Sequence, residues 1–177
     1  MPDDDGAPIR ERQTVTPAGE PIAELVDGMT IREIVTQTDE RGTLFELFDP
    51  RWDWHPQPLV YAYATTIRPG VTKGWARHSR HDDRYALMFG EMELVCFDDR
   101  EGSPTRGLVS TIVLSEHRRR LVCIPTGVWH ADRNIGSRDV VLVNFPTAPY
   151  EHADPDKERL PLDTPLIPHT FDEPRGW

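Results

Sequence analysis

The sequence predicts an all-β domain, and three observations carry that prediction. Short runs rich in β-branched and aromatic residues recur along the chain, each ended by a cluster of Gly, Pro, Asp or Ser. Seventeen prolines in 177 residues leave little room for long helices. No strand-like run alternates with a helical pattern as a βαβ unit would require. Short strands in such a series fold into a sandwich or barrel.

Each element has its own warrant. Residues 1–20 are polar and rich in mixed charge, which predicts a flexible lead-in to a single domain over 21–170, with a tail at 171–177. Met29–Thr36 is a first strand, Asp39–Gly42 a turn and Thr43–Phe48 a second strand. Arg51–Pro58, with two Trp and two Pro, reads as a loop, and Leu59–Ile67 as a third strand ended by Arg68-Pro-Gly70. The polar stretch Trp75–Tyr85 has two readings, a loop at one end of the fold or a segment that brings Asp83 and Tyr85 onto a strand. Arg84–Phe89 and Met92–Phe97 predict a hairpin about Gly90-Glu91. After the turn Asp98–Gly107, strands are expected at Leu108–Leu114, Arg120–Ile124 and Asp139–Phe145. The Pro-rich segment from Pro146 onward is expected to wrap the outside, with one short helix near Asp154–Arg159.

Composition narrows the function. A net charge of −10 argues against nucleic acid or an anionic membrane surface as partner. An anionic ligand must therefore be held by local Arg and Lys. Cys96 and Cys123 sit in apolar runs, which predicts buried thiols in a reducing compartment rather than a disulfide framework. No apolar run is long enough to span a bilayer, and the first residues are acidic rather than a basic, apolar leader, so a cytoplasmic protein is expected.

Ile124-Pro-Thr-Gly-Val-Trp-His-Ala-Asp-Arg-Asn134 organises the rest. Pro125 and Gly127 fix a turn, Val128-Trp129 carries the chain to His130, and Asn134 can close the next turn through its amide. Pro-x-Gly-x-x-His-x-x-x-Asn is one of the two motifs that mark a cupin, a small β-barrel whose interior holds a ligand or metal. Three further landmarks extend the likeness: Asp39-Glu-Arg-Gly42 with Glu46, Gly70-Val-Thr-Lys-Gly74, and Asp98-Asp-Arg-Glu-Gly-Ser-Pro-Thr-Arg-Gly107. With these, the chain resembles the dTDP-4-dehydrorhamnose 3,5-epimerase family from about Thr36 to Pro168.

The resemblance implies a cupin-type double-stranded β-helix, or jelly-roll barrel, a homodimer exchanging N-terminal strands, and a nucleotide-sugar substrate. It places Arg41, Arg68 and Lys73 at or beside the pyrophosphate, with Arg41 serving the neighbouring subunit's site. Glu46 falls at the nucleoside end, and Trp75 is available to stack on a base or sugar. The family's epimerisation beside a 4-keto group needs a base and an acid. By the resemblance, its His, Lys and Tyr fall here at Ala76, Asp83 and Val143, so the standard catalytic set is replaced.

The replacements still carry chemistry. Asp83 and Tyr85 share one face if they lie on a strand. His78 oriented by Asp83 could act as base, Tyr85 or Tyr63 as acid, and His130 belongs to the same site. These groups suit epimerisation or ketoisomerisation of a nucleoside-diphosphate-linked 4-keto-6-deoxyhexose with no cofactor. Two alternatives stay open. By the likeness to metal-binding cupins the ligand positions fall at Ala76, His78, Asp83 and His130, which implies two imidazoles and a carboxylate from His78, Asp83 and His130, with His81 able to bend in for the missing ligand, a set of the kind that binds Fe, Zn, Mn or Ni. The chain could also bind a nucleotide sugar without turning it over. His55, His117, His152 and His169 read as surface or loop residues.

Overall fold

A computed structural model describes residues 13–19 and 22–171. Most of the expected lead-in, and the tail beyond Phe171, lie outside the described residues. Two five-stranded antiparallel sheets face each other. The first runs β1 (Thr30–Glu33), β9 (Arg120–Ile124), β6 (Asp83–Phe89), β11 (Val140–Asn144), β4 (Tyr63–Ile67). The second runs β12 (Glu158–Arg159), β5 (Thr72–Arg77), β10 (Trp129–Asn134), β7 (Glu91–Phe97), β8 (Val109–Ser115). A separate ribbon pairs β2 (Thr36–Asp39) with β3 (Gly42–Phe45). This is the jelly-roll barrel that the motifs imply.

Side-chain alternation builds the interior. Val122, Ile124, Leu87 and Leu142 of the first sheet meet Met92, Leu94, Cys96, Ile112 and Leu114 of the second, all buried. Each such side chain removed from water stabilises the fold by roughly 1.5–3 kcal/mol. The C-terminal segment covers the outer face of the second sheet, where Leu162, Ile167 and Phe171 pack on Trp75, Val95, Phe97 and Trp129. Both cysteines are buried and free.

Three expectations need correction. The hairpin at Gly90-Glu91 does not form, because β6 and β7 belong to opposite sheets. Gly90, at φ +92°, turns the chain across the barrel instead of back on itself. The expected helix at Asp154–Arg159 is absent: Glu158–Arg159 is a short edge strand on β5, and Asp156 is held by Ser79 and Arg80. The stretch beginning at Trp75 is not all loop, since Thr72–Arg77 forms β5. Its strand character was hidden by Gly74, which occupies a β-bulge: Ala76 pairs with His130 but Lys73 pairs with Asp132. A side chain at Gly74 would lie 2.6 Å from Ala131 Cβ, so only glycine fits there.

The segment Asp98–Gly107 is a built structural anchor. Asp98 is 0% exposed. It accepts hydrogen bonds from Arg100 Nε (2.9 Å), Arg100 Nη2 (2.8 Å), Ser103 Oγ (2.6 Å) and Thr105 Oγ1 (2.6 Å). Arg100 also donates to the Asp27 carbonyl, and the Asp27 amide donates to Thr105 Oγ1. One carboxylate thus ties the loop to the strand β7 it leaves and to the segment before β1.

Candidate active site

The bulge in β5 decides which side chains enter the barrel. Lys73, Ala76 and His78 all line a cavity of about 120 Å³ between the sheets, although strict alternation would have put Lys73 and Trp75 on one face. On β10, His130 and Asp132 alternate inward while Trp129 and Ala131 point to the outer face. The first sheet contributes Tyr63 and Thr65 from β4, Tyr85 from β6, and Leu142 and Asn144 from β11. Lys157 and Arg159 of the C-terminal segment close the rim.

At one end of this cavity two imidazoles and a carboxylate meet. His78 Nε2 is 3.4 Å, and His130 Nε2 3.5 Å, from the same oxygen of Asp83, Oδ2. Asp83 Oδ1 accepts a 2.6 Å hydrogen bond from Asn144, whose amide also donates to the Tyr63 hydroxyl (3.0 Å). The far nitrogens of both imidazoles are committed: His78 Nδ1 donates to the Asp156 carbonyl, and His130 Nδ1 to the Val128 carbonyl at 3.3 Å. His81 stacks on His78 with ring centres 4.2 Å apart, and its Nδ1 lies 2.9 Å from Asp156 Oδ2.

The electrostatics follow from burial and these partners. Burial disfavours ionised Asp83, but His81, His130, His78 and Asn144 outweigh it and hold the carboxyl well below the usual range. Burial pushes His130 down to about 4 and His78 also downward, with Asp83 opposing in both cases. Asp132 is shifted the other way, to about 7, first by burial and then by the neighbouring charge of Asp83. Tyr85 donates a 3.3 Å hydrogen bond to Asp132 Oδ2, whereas Oδ1 has no hydrogen-bond partner among the described residues.

The four residues expected to carry chemistry, His78, Asp83, Tyr85 and His130, are therefore together, in roles partly different from those expected. Neither nitrogen of His78 is left for a substrate proton, because one faces Asp83 and the other donates to a backbone carbonyl. The acceptor that faces the cavity is Asp132, which the sequence reading missed. Its signal was the alternation His130, Asp132, Asn134 on one strand. Lys157 and Asn144 had no such signal.

Of the expected binding residues, Lys73 lines the cavity and donates to Thr65 Oγ1 at 2.7 Å. Trp75 is overturned as a stacking platform: it is 0% exposed and packs on Phe171 and His169 outside the barrel, the bulge at Gly74 having turned it outward. Arg41 lies on the ribbon, paired with Asp39 at 2.5 Å. Glu46 and Arg68 are exposed and do not line the cavity. Val143 packs outward against Ala86 and Leu121, so on β11 the neighbours Leu142 and Asn144 face the cavity, and neither supplies an acid. His55 is no simple surface residue: its side chain is 9% exposed and 3.2 Å from Asp82. His169, likewise expected at the surface, packs its ring between Trp75 and Phe171.

No family model matches the chain. Curated relatives do. The probable low-salt glycan biosynthesis epimerase Agl13 of Haloferax volcanii is 34% identical over 139 residues, covering 78% of this chain and 89% of the relative. The spore coat polysaccharide biosynthesis protein SpsL of Bacillus subtilis is 30% identical over 145 residues, covering 81% and 94%. Among solved structures, a dTDP sugar isomerase from Desulfovibrio desulfuricans G20 superposes with a TM-score of 0.77 at 27% identity, over 82% of this chain and 91% of that one. The fold and these relatives place the chain among the nucleotide-sugar epimerase-type cupins. The chain belongs to the dTDP-4-dehydrorhamnose 3,5-epimerase family.

Proposed function

We propose that the chain epimerises or isomerises a nucleoside-diphosphate-linked 4-keto-6-deoxyhexose by proton transfer at carbon beside the ketone. One observation carries this reading: a buried carboxylate acceptor of the second sheet, Asp132, and a tyrosine of the first, Tyr63, line one cavity together with Lys73 and Lys157. Asp132 Oδ1 takes the carbon-bound proton, and the electron pair moves onto the keto oxygen, where lysine ammonium groups favour the enolate. Tyr63 returns a proton to carbon from the opposite wall and regains its own from solvent, as Asp132 releases to solvent the proton it took. Tyr85 positions Asp132 through its hydroxyl. In this reading Lys73, Lys157 and Arg159 meet the anionic diphosphate, which an acidic protein must hold with local cations.

The test is solvent-deuterium incorporation into the keto sugar, followed by NMR. The intact protein is expected to exchange the proton beside the ketone, and Asp132→Asn, which removes the accepting carboxylate, to lower that exchange sharply. Failure of the intact protein with dTDP-, CDP- and GDP-linked keto sugars would remove the proposal. Tight binding without exchange would instead mark a silent nucleotide-sugar-binding member of the family.

We further propose a cytoplasmic homodimer. The ribbon Thr36–Phe45 pairs only with itself among the described residues and leaves Val35 77% and Leu44 61% exposed. A second copy covering it would also carry Arg41 to the neighbouring site. Sedimentation equilibrium is expected to give twice the chain mass of 20.3 kDa, and a monomer at micromolar concentration would exclude this arrangement. Two free, buried thiols suit a reducing compartment, and among the described residues no helix is long and apolar enough to cross a membrane.

A further inference from the structure

We infer that Asp156 is a positioning residue: its carboxylate latches the strap 154–159 over the mouth of the barrel and so sets Lys157 in the cavity. The latch is a set of donors converging on one side chain. Asp156 Oδ1 accepts from the Ser79 amide at 2.8 Å and the Ser79 hydroxyl at 2.7 Å. Its Oδ2 accepts from the Arg80 amide at 2.8 Å and lies 2.9 Å from His81 Nδ1. The Asp156 carbonyl accepts from His78 Nδ1, and Arg80 reaches Asp154 through Nη1 at 2.8 Å and Nη2 at 2.7 Å. The Asp156 side chain is only 13% exposed, so these charge-assisted bonds are stronger than those of a surface ion pair.

Little else holds this end of the strap. From Glu151 to Arg159 every residue but Asp156 is exposed, so no apolar side chain of that stretch anchors it in the core. The far end is fastened to the sheet, where Glu158 and Arg159 pair with β5 and Leu160 exchanges two backbone bonds with Trp75. Lys157 stands between the latch and that fixed end. Lys73 is tied to Thr65 Oγ1, but among the described residues no hydrogen bond holds the Lys157 ammonium, so its backbone alone places it.

Lys157 is also a partition. With Arg159, Tyr63 and His78 it lines both the inner cavity of about 120 Å³ and an outer groove of about 380 Å³ that runs on to Tyr61 and Tyr150. The inner space is below the roughly 300–1,000 Å³ of ordinary ligand sites, so a substrate needs the two joined. Opening the latch swings Lys157 aside and joins them. Closing it returns the ammonium to the cavity where Asp132 takes the proton and an enolate oxygen forms. That last step rests on the epimerase reading above, whereas the latch rests on its own contacts.

The test uses the full-length protein and two readouts, one of which needs no substrate. Backbone-amide hydrogen exchange, followed by mass spectrometry, is expected to quicken about 10-fold over 154–160 in Asp156→Ala and to keep the parent rate in the barrel strands. Ser79→Ala, which removes one donor of the latch, should move the same peptide in the same direction by less. If circular dichroism shows Asp156→Ala to be unfolded, Ser79→Ala decides the question. With a nucleotide-linked keto sugar, Asp156→Ala is expected to lower kcat on the order of 100-fold, with a much smaller change in KM. Lys157→Met should lower kcat as much, and the double variant no further, because one residue acts through the other. Unchanged amide exchange over 154–160 overturns the latch, and additive losses in the double variant overturn the positioning role. A loosened strap in a protein that turns over no keto sugar supports the latch and removes the epimerase reading.

Discussion

Asp132→Asn is expected to lower the rate of solvent-deuterium exchange into a nucleotide-linked keto sugar on the order of 10²- to 10⁴-fold, with little change in substrate affinity. The asparagine keeps the shape of the side chain and an oxygen to accept from Tyr85, so the cavity should persist. It removes the one cavity-facing acceptor that has no hydrogen-bond partner among the described residues. Stability should move the other way, or not at all, because a neutral amide replaces a buried carboxylate beside Asp83. A variant that exchanges at the parent rate would show that Asp132 is not the base. One that loses exchange because it unfolds would show that the carboxylate is structural. Circular dichroism and Tm, measured on the sample used for exchange, separate these outcomes.

The largest loss of stability is expected at Asp98→Ala. That substitution leaves the partly buried Arg100 guanidinium and the Ser103 and Thr105 hydroxyls without their shared acceptor. The expected cost is about 3 kcal/mol, a fall in Tm of roughly 6–12 °C for a chain of this size. The pH dependence has a definite sign. Burial disfavours the charged form of Asp98, but Arg100, Ser103 and Thr105 outweigh it and hold the folded-state pKa far below the ordinary value. The stabilisation is therefore complete above the unfolded-state value of about 4 and is lost as pH falls through the depressed folded value. Denaturation curves at descending pH should converge for parent and variant on the acid side. Parallel curves at every pH would mean that the carboxylate's charge is not the stabilising element.

Much of the barrel was legible because its strands announce themselves. Arg120–Ile124 was placed to the residue, since a charged loop precedes it and Pro125 stops it. Pairing was harder to read. Gly90 signals a turn, but only the positions of the other strands decide whether it reverses the chain within a sheet or carries it across. The site was legible where a motif fixed a backbone: Pro125 and Gly127 located His130, and Asn134 does close the following turn by accepting from Gly136 and donating to Arg138 and Ile67. Trp75 was misplaced because one bulged residue inverts every side chain after it. Lys157 was invisible because it reaches the cavity from the position just before a strand of two residues, whose pairing with β5 is a tertiary event.

Asp83 rises from the first sheet, and His130 from the second. Whatever occupies the space between them fastens one wall of the barrel to the other. An occupant present at a hundred times its dissociation constant would add about 2.7 kcal/mol to the work of separating those walls. A simple denaturant titration therefore doubles as a gauge of how full the site is, readable even for a ligand that undergoes no reaction. It also sets a limit on evolution of the fold: a sequence that abandons the chemistry but keeps the triad retains a clamp, and one that loses the triad must find that cohesion elsewhere in the core.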